Sequence, residues 1–437
     1  MDTKYEPVMG LEVHVELNTK TKMFCGCLAD YFGKEPNTHT CPVCLGLPGA
    51  LPMINEEAIK KCIQIGLALQ CSINEISFFE RKNYFYPDLA KGFQTSQLVL
   101  PVAVKGWIEV EDAKGGVSNI RINRAHQEED TGKLTHIDGK TLIDFNRSSV
   151  PLVEIVTEPD FTDTTQIKDY AKKLQQIFRY LDVSNADMER GDMRLEANIS
   201  VRLVGQKELP PYRVELKNIN SFRFMAQAVE YEIVRQIEAL EKGERLVQET
   251  RGWDEDKKET YVQRSKEDAH DYRYFPEPDL PEMHLRQMGD QIKAEIAELP
   301  MEKIKRYKEE FGMAKLIAEQ MAADKETASK FEETIEIGKG KAEPKDIANF
   351  MANQKIESLT SDQIIEAILS KKQGIISDSS ELEKVCQEVM DENKALVDAY
   401  KAGKLTVIQA FIGQVMRKTS GKADAGVAKE LLEKLLT

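Results

Sequence analysis

The sequence predicts an α+β protein: an antiparallel-sheet domain, then an all-α helical domain, then a small helical tail. Three observations predict this class. Apolar and polar residues alternate in short runs up to about residue 290, and helical spacing dominates after it. The chain of 437 residues is also long enough for two or three domains of ~150 residues each. We place these domains at residues 1–292, 293–373 and 374–437.

Two kinds of pattern support the first domain. Alternation typical of half-buried strands occurs at Gly10–Leu17, Val117–Asn123, Leu152–Val156, Arg194–Arg202 and Tyr212–Leu216. Apolar residues at helical spacing occur at Glu56–Leu69, Thr165–Leu181 and Phe224–Glu241. Strands with intervening helices favour an α+β domain whose sheet is largely antiparallel.

From about residue 293 onward the pattern is almost entirely helical. The predicted helices are Met301–Phe311, Met313–Lys330, Pro344–Asn353, Ser361–Lys371, Glu381–Ala402 and Thr406–Thr419. Asp324 is a plausible N-cap that would divide the second of these helices. We expect the helical region to divide again near Gly374.

Composition excludes several classes of protein. A hydrophobic content of 41% excludes disorder as the main state. No apolar stretch approaches the ~20 residues of a membrane-spanning helix, and the N-terminal residues contain no signal-peptide core. We therefore expect a cytoplasmic protein.

The charge distribution favours at most a local contact with nucleic acid. The net charge of −14 argues against a surface that binds polyanions everywhere. Residues 401–437 are nevertheless basic on balance, and Arg417, Lys418 and Lys422 lie among them. This segment could contact one polyanion, or it could be an ordinary solvated helix face.

Four of the seven cysteines lie within twenty residues, as Cys25, Cys27, Cys41 and Cys44. Two close pairs joined by a loop can deliver four thiolates to a structural, tetrahedral Zn²⁺. The first pair is Cys-x-Cys rather than Cys-x-x-Cys, so His39 could replace one ligand, and scattered free thiols are the alternative. A catalytic zinc is disfavoured because four thiolates leave no open position.

Acidic residues at strand positions suggest a second kind of metal site. Glu12 and His14 share one face of a strand, and Glu154 stands inside a hydrophobic run. A carboxylate in such a run is costly unless a cation compensates it, and oxygen ligands suit Mg²⁺. An ordinary solvated sheet face is the competing interpretation.

Two further strands present polar residues on one face: Arg194, Glu196 and Asn198 on one, and Lys217 on the other. Arginine and lysine can bind phosphate, but such faces are also often salt-bridged and merely solvated. The sequence contains no complete P-loop or dinucleotide fingerprint. A nucleotide site would therefore be built from scattered strand residues.

Five long motifs together resemble the B subunits of the tRNA-dependent aspartyl/glutamyl amidotransferases. They are Gly-Leu-Glu-Val-His-Val-Glu-Leu (10–17), Arg-Lys-Asn-Tyr-Phe-Tyr-Pro-Asp (81–88), His-Gln-Glu-Glu-Asp-Thr-Gly-Lys (126–133), Glu-Leu-Lys-Asn-Ile-Asn-Ser (215–221) and Asp-Tyr-Arg-Tyr-Phe-Pro-Glu-Pro-Asp (271–279). The resemblance covers about the first 280 residues and continues more loosely through the helical region, which looks shorter than usual between about 350 and 380.

The resemblance implies a cradle-like sheet domain and a ligase function. In this family a heterotrimer contains an amidase-type A subunit, which releases ammonia from glutamine, and a small C subunit. The B subunit uses ATP and Mg²⁺ to phosphorylate the side-chain carboxylate of Glu on tRNA(Gln) or Asp on tRNA(Asn). Ammonia then displaces phosphate and gives Gln-tRNA(Gln) or Asn-tRNA(Asn). A non-catalytic, zinc-braced tRNA-binding or assembly module is the alternative.

The resemblance, together with the residue patterns above, assigns roles to four groups of residues. The catalytic, Mg²⁺-binding set is Glu12, His14, Glu129 and Glu154. The candidates for binding phosphate or the aminoacyl end are Lys82, Arg194, Glu196, Asn198 and Lys217. The zinc ligands are Cys25, Cys27, Cys41 and Cys44, and the residues that contact the tRNA body are Arg417, Lys418 and Lys422.

Overall fold

The computed structural model describes residues 4–265, 271–373, 379–401, 404–419 and 422–436. The chain separates into two compact units, Met1–Pro300 and Met301–Thr437. The first unit contains the sheets and the second is helical. The domain boundary that the sequence predicts near Gly374 falls at residues 374–378, which lie outside the described residues.

The described strands of the first unit form one large sheet and three small ones. The strands are β1 (Tyr5–Glu16), β2 (Ser72–Ile73), β3 (Ile76–Ser77), β4 (Glu80–Asn83), β5 (Phe93–Ser96), β6 (Ala103–Glu111), β7 (Val117–Glu129), β8 (Lys133–Ile137), β9 (Lys140–Asp144), β10 (Pro151–Thr157), β11 (Met193–Leu203), β12 (Val214–Ile219), β13 (Glu249–Asp254), β14 (Glu259–Ser265), β15 (Phe275–Pro276) and β16 (Met283–His284). The large sheet is nine-stranded, forms the centre of the unit and has the strand order β14-β13-β12-β11-β1-β10-β7-β6-β2. The three small sheets consist of β15-β4-β5, of β16-β3 and of β8-β9.

Helices cover the apolar face of this sheet. The helices of the first unit are α1 (Glu56–Ala68), α2 (Thr164–Tyr180), α3 (Phe222–Glu241) and α4 (Arg286–Glu295). On β1, Leu11, Val13 and Val15 are buried because alternate residues of a strand point to the same face. Gly66 of α1 lies so close to Ala103 of β6 that a Cβ there would meet the alanine methyl.

The α+β prediction is confirmed, with one difference in strand direction. The neighbouring pairs of the large sheet are antiparallel except β12 and β13, which are parallel. The reason is the connection between them, since α3 lies between the two strands in sequence. A helical crossover brings the chain back to the same end of the sheet, so the next strand runs in the same direction.

The described residues of the second unit form two hydrophobic cores. Its helices are α5 (Pro300–Phe311), α6 (Lys315–Met321), α7 (Lys325–Gly338), α8 (Pro344–Asn353), α9 (Ser361–Gln373), α10 (Ser379–Glu392), α11 (Lys394–Lys401), α12 (Ile408–Lys418) and α13 (Ala425–Leu436). One core includes Tyr307, Phe331 and Ile364, and the other includes Leu382, Phe411 and Leu432. None of the described helices is long and apolar enough to cross a membrane.

Local polar contacts explain where two predicted helices divide. The carboxylate of Asp324 accepts a hydrogen bond of 2.8 Å from the Thr327 amide and caps α7, as the sequence predicts. The predicted helix Glu381–Ala402 is interrupted at Asn393, whose side chain donates to the Val389 carbonyl at 2.8 Å. The helix α13 is not among the helices that the sequence predicts.

Phe331 offers a direct test of the first helical core. Its ring is fully buried and lies edge-on to Tyr307, with ring centroids 5.1 Å apart. Phe331→Ala should lower the unfolding free energy of the helical unit by about 3–5 kcal/mol, because it leaves a cavity. Leu316→Ala is the control, since Leu316 is 66% exposed. Denaturant titration followed by circular dichroism measures both, and equal losses would contradict this assignment of the core.

Candidate active site and metal centre

Four neighbouring strands place polar side chains in a row across the sheet. His126 on β7 lies opposite Glu154 on β10, and Glu154 lies opposite His14 on β1. His14 in turn lies opposite Arg194 on β11. Directly opposed residues in antiparallel strands have Cβ atoms ~5 Å apart, so their side chains interact. The row therefore gathers residues that are far apart in sequence.

His14, Glu128 and Glu154 form a group whose ligand atoms all lie within 4.8 Å of one another. The Nε2 atom of His14 lies 3.5 Å from Glu128 Oε1 and 3.6 Å from Glu154 Oε2. Glu128 also accepts a hydrogen bond of 3.1 Å from the Ser96 hydroxyl. One imidazole and two carboxylates at this spacing can hold a divalent cation.

The charges in this group are strongly coupled. Burial alone would lower the pKa of His14, but the hydrogen bond to Glu154 and its charge raise that pKa to about 9. Burial alone would raise the pKa of Glu154, but His126 and His14 hold it well below its usual range. A bound cation would use the same negative charge and would compete with the proton on His14.

Glu129, which the sequence analysis assigns to the metal, lies outside this group. Its carboxylate pairs with Lys91 and accepts a hydrogen bond of 2.9 Å from the Thr95 amide. Consecutive residues of a strand point to opposite faces, so Glu128 and Glu129 cannot both join Glu154. The structure brings Glu128 there instead.

His126 is a residue of this site that the sequence analysis misses. Its Nε2 atom lies 3.2 Å from Glu154 Oε2, and its Nδ1 atom is buried without a hydrogen-bond partner. A signal was present, because His126 and Glu128 have the same two-residue spacing as Glu12 and His14. Without the pairing of β7 with β10, however, nothing in that spacing distinguishes the His126–Glu128 face from the opposite one.

A second acidic group lies on β1, β11 and β12 and consists of Glu12, Glu196 and Glu215. Burial and the charges of Glu154 and Glu196 raise the pKa of Glu12. The ammonium of Lys217 lies 2.8 Å from Glu196 and 3.1 Å from Glu215, and so offsets part of this charge. Asn198 donates a hydrogen bond of 2.8 Å to Glu12. Glu12 thus belongs to the second acidic group and is close enough to the first for the charge of Glu154 to act on it.

Lys82 and Arg194 differ in whether a described carboxylate forms an ion pair with them. Among the described residues, Lys82 forms no ion pair, and its Nζ atom lies 5.1 Å from the centre of the Tyr272 ring. Burial would lower the pKa of Lys82, but the nearby charge of Glu128 raises it. The guanidinium of Arg194 is instead held by Asp130 and Glu16.

The four cysteines converge in the chain between β1 and α1, and their sulfur atoms lie within 4.8 Å of one another. A tight turn holds the second pair, in which the Leu45 amide donates to the Cys41 carbonyl at 3.0 Å. Gly46 ends this turn at φ +65°, where a Cβ would clash with Lys91. His39 is not in the group. Four sulfurs in this arrangement fit a tetrahedral metal ion.

Hydrogen bonds favour a thiolate at Cys44. The hydrogen bond with Cys25 is the largest of several effects that lower the pKa of Cys44 to about 5. The Cys41 amide also donates to Cys44 Sγ at 3.2 Å. Thiolates are the form that binds metal, so the donor set is chemically suited to the ion.

The three predicted tRNA-contacting residues lie at or just after the end of α12. Lys418 is already paired, with Nζ 2.9 Å from Glu388 and 2.6 Å from Glu392. Arg417 and Lys422 are exposed, and neither forms an ion pair within the part of the chain that the structure describes. These two side chains are therefore available to an external anion.

Comparisons with known proteins agree with this architecture. A family model described as the GatB/GatE catalytic domain matches residues 7–289, and one described as the GatB domain matches residues 312–436. Relatives named as the B subunit of aspartyl/glutamyl-tRNA(Asn/Gln) amidotransferase align over nearly the whole chain. Those from Brevibacillus brevis and Persephonella marina are 42% and 40% identical, and each alignment covers 99% of this chain and 99% or 100% of the relative.

The sheet with its acidic face and the helical unit after it thus define a catalytic domain joined to a helical domain. The chain belongs to the GatB/GatE family, and its relatives are B subunits of aspartyl/glutamyl-tRNA(Asn/Gln) amidotransferases. The alignment with the Brevibacillus protein extends over 480 positions, which exceeds the 437 residues present in this chain. That relative therefore contains residues that this chain lacks.

Proposed function

We propose that the chain catalyses ATP-dependent transamidation of Glu-tRNA(Gln), Asp-tRNA(Asn) or both, as one subunit of a cytoplasmic heterotrimer. The reaction forms a C–N bond with glutamine as the amido donor. An amidase-type A subunit releases the ammonia, and a small C subunit completes the assembly. The observation that carries the proposal is the group of His14, Glu128 and Glu154, with Glu128 near enough to Lys82 for its charge to raise the pKa of Lys82. The names of the full-length relatives support the same reaction.

The chemistry proceeds in two balanced steps. The side-chain carboxylate of the misacylated amino acid is a poor electrophile, so one of its oxygens first accepts the γ-phosphoryl group of ATP, and ADP leaves. Ammonia then attacks the carbonyl carbon of this acyl phosphate. The C–O bond to phosphate breaks, and the nitrogen loses a proton to give the amide. Phosphoryl transfer of this kind depends mainly on positioning and on charge neutralisation.

His14, Glu128 and Glu154 would hold Mg²⁺, with Glu12 beside them. When bound, Mg²⁺ supplies positive charge against the phosphate oxygens of ATP. The Ser96 hydroxyl fixes the carboxylate of Glu128, and His126 orients that of Glu154. Such supporting contacts fix the orientation of metal ligands.

The cations near this group would bind the anionic ends of the substrates. Lys82 is the candidate for phosphate because, among the described residues, no carboxylate forms an ion pair with it. Lys217 and Arg194 are held by carboxylates, so a substrate must compete for them. Glu196 and Asn198 lie beside Glu12 and would contact the aminoacyl end or the metal.

A non-catalytic tRNA-binding module is disfavoured by the same geometry. The two acidic groups lie on one sheet face and repel polyanions, and burial of the Glu12 carboxylate is costly without a cation. A protein that only binds tRNA gains nothing from such an arrangement.

Paired substitutions distinguish Glu128 from Glu129. Glu128→Gln and Glu154→Gln should reduce ATP-dependent phosphorylation of Glu-tRNA(Gln) by roughly 100-fold or more, because even outer contacts of a metal are worth about 10–100-fold. Glu129→Gln should retain far more of this step. The assay measures phosphate release from labelled ATP in the assembled complex, and filter binding checks that tRNA affinity is kept. Loss in Glu129→Gln with full activity in Glu128→Gln would contradict the assignment.

For the four cysteines we propose a structural Zn²⁺ held by Cys25, Cys27, Cys41 and Cys44. Plasma mass spectrometry of the purified chain should find about one zinc per chain, as a closed tetrathiolate site requires. Cys41→Ser should lower this content, whereas Cys62→Ser should not, since Cys62 is buried on α1 outside the group. A folded wild-type chain without metal would contradict the zinc assignment.

We further propose that Arg417, Lys418 and Lys422 contact the tRNA body. Point substitutions test this better than truncation, because Phe411 and Leu432 belong to one core. Arg417→Ala combined with Lys422→Ala should weaken tRNA binding and reduce its salt dependence by about one unit of log–log slope for each phosphate contact that the substitutions remove. Lys418→Ala should have a smaller effect, since Glu388 and Glu392 already pair with it. Unchanged affinity in the double variant would remove this segment from the tRNA interface.

A further inference from the structure

Lys22 is a fully buried lysine beside the four-cysteine group. Its Nζ atom donates to the His39 carbonyl at 2.7 Å, to the Phe145 carbonyl at 3.3 Å and to Cys44 Sγ at 3.6 Å. An ammonium has three N–H groups, so these three acceptors use all of them. The contacts connect Lys22 to the loop between the two cysteine pairs, to the second pair itself and to Phe145, the residue that follows β9.

A buried positive charge such as that of Lys22 needs a negative charge close to it. None of the ion pairs formed by the described residues includes Lys22. Removing an ammonium from water is costly unless an opposite charge compensates it. The two carbonyls are neutral, so the sulfur of Cys44 is the contact, among these three, that can carry negative charge.

The cysteine group, by contrast, has an excess of negative charge when it holds zinc. Four thiolates carry twice the charge of one Zn²⁺, so a loaded site is negative overall. Cys44, itself only 1% exposed, receives N–H groups from the Cys41 amide and from Lys22. Outer contacts of this kind orient metal ligands and tune their affinity.

We propose that Lys22 is a positioning residue of the four-cysteine site, whose ammonium fixes the Cys44 sulfur and offsets negative charge of the loaded site. This inference rests on the zinc site proposed above. Lys22 thereby makes metal retention depend on a residue that is not itself a ligand. A purely structural lysine would instead contribute equally to the loaded and the metal-free chain.

Lys22→Met tests the proposal because methionine keeps much of the aliphatic stem and removes the charge. The full-length, zinc-loaded chain is mixed with a chromophoric chelator, and the rate of zinc transfer is measured. Lys22→Met should transfer zinc about 10–100-fold faster than wild type. Lys20→Met is the matched control, since Lys20 is exposed two residues away, and it should transfer zinc at the wild-type rate.

Stability measurements separate this role from simple packing. The fold-change in the unfolding constant caused by Lys22→Met should be larger in the zinc-loaded chain than after removal of zinc by chelation. Equal changes in both forms, or an unchanged transfer rate, would overturn the proposal. If Lys22→Met does not fold, Lys22→Gln is measured in its place, and it should also release zinc faster. A wild-type chain that holds no zinc would overturn both this inference and the zinc site, whereas unaltered zinc retention in the variants would overturn this inference alone.

Discussion

The cost of keeping carboxylates away from water is the constraint on which this structure depends. Strand alternation places Glu12, Glu128 and Glu154 on one face of a sheet whose other face is a hydrophobic core. Two imidazoles and the ammonium of Lys217 offset part of the negative charge. The remaining negative charge is what a divalent cation would stabilise.

Periodicity in the sequence predicts which residues share a face of a strand, but it does not predict how strands pair. Alternation puts Glu12 and His14 on one face of a strand, and a carboxylate such as Glu154 is unusual in a hydrophobic run, but the assignment of all three to a metal comes from the resemblance to the amidotransferase B subunits. The choice between Glu128 and Glu129 depends on the register of β7 against β10, which places His126 opposite Glu154. Register is a property of long-range packing, so sequence analysis of β7 alone cannot supply it.

The helical unit shows the same division between local and long-range causes. Asp324 can be predicted as an N-cap because a cap is a contact between residues three apart. The existence of α13, by contrast, depends on the core that it forms with α10 and α12. Apolar periodicity in a short segment does not by itself decide between a helix and a loop, because most of the stability of a short helix comes from packing against its neighbours.

Residues 17–55 pose a different physical problem, because this long connection contains no helix or strand among the described elements. A connection of that length lacks the repeating hydrogen bonds of a helix or a sheet, so individual backbone and side-chain contacts must order it. Tyr31 donates to Glu16 at 3.0 Å, at the end of the strand that carries His14, and the side-chain oxygen of Asn37 accepts a hydrogen bond of 2.8 Å from the amide of Phe145, just after β9. Lys22 adds a third attachment at the cysteines. Because Glu16 also holds Arg194, and because Met23 and Phe24 of this connection are buried in the core, disorder in the connection would reach the sheet face that carries His14 through polar contacts as well as through the core.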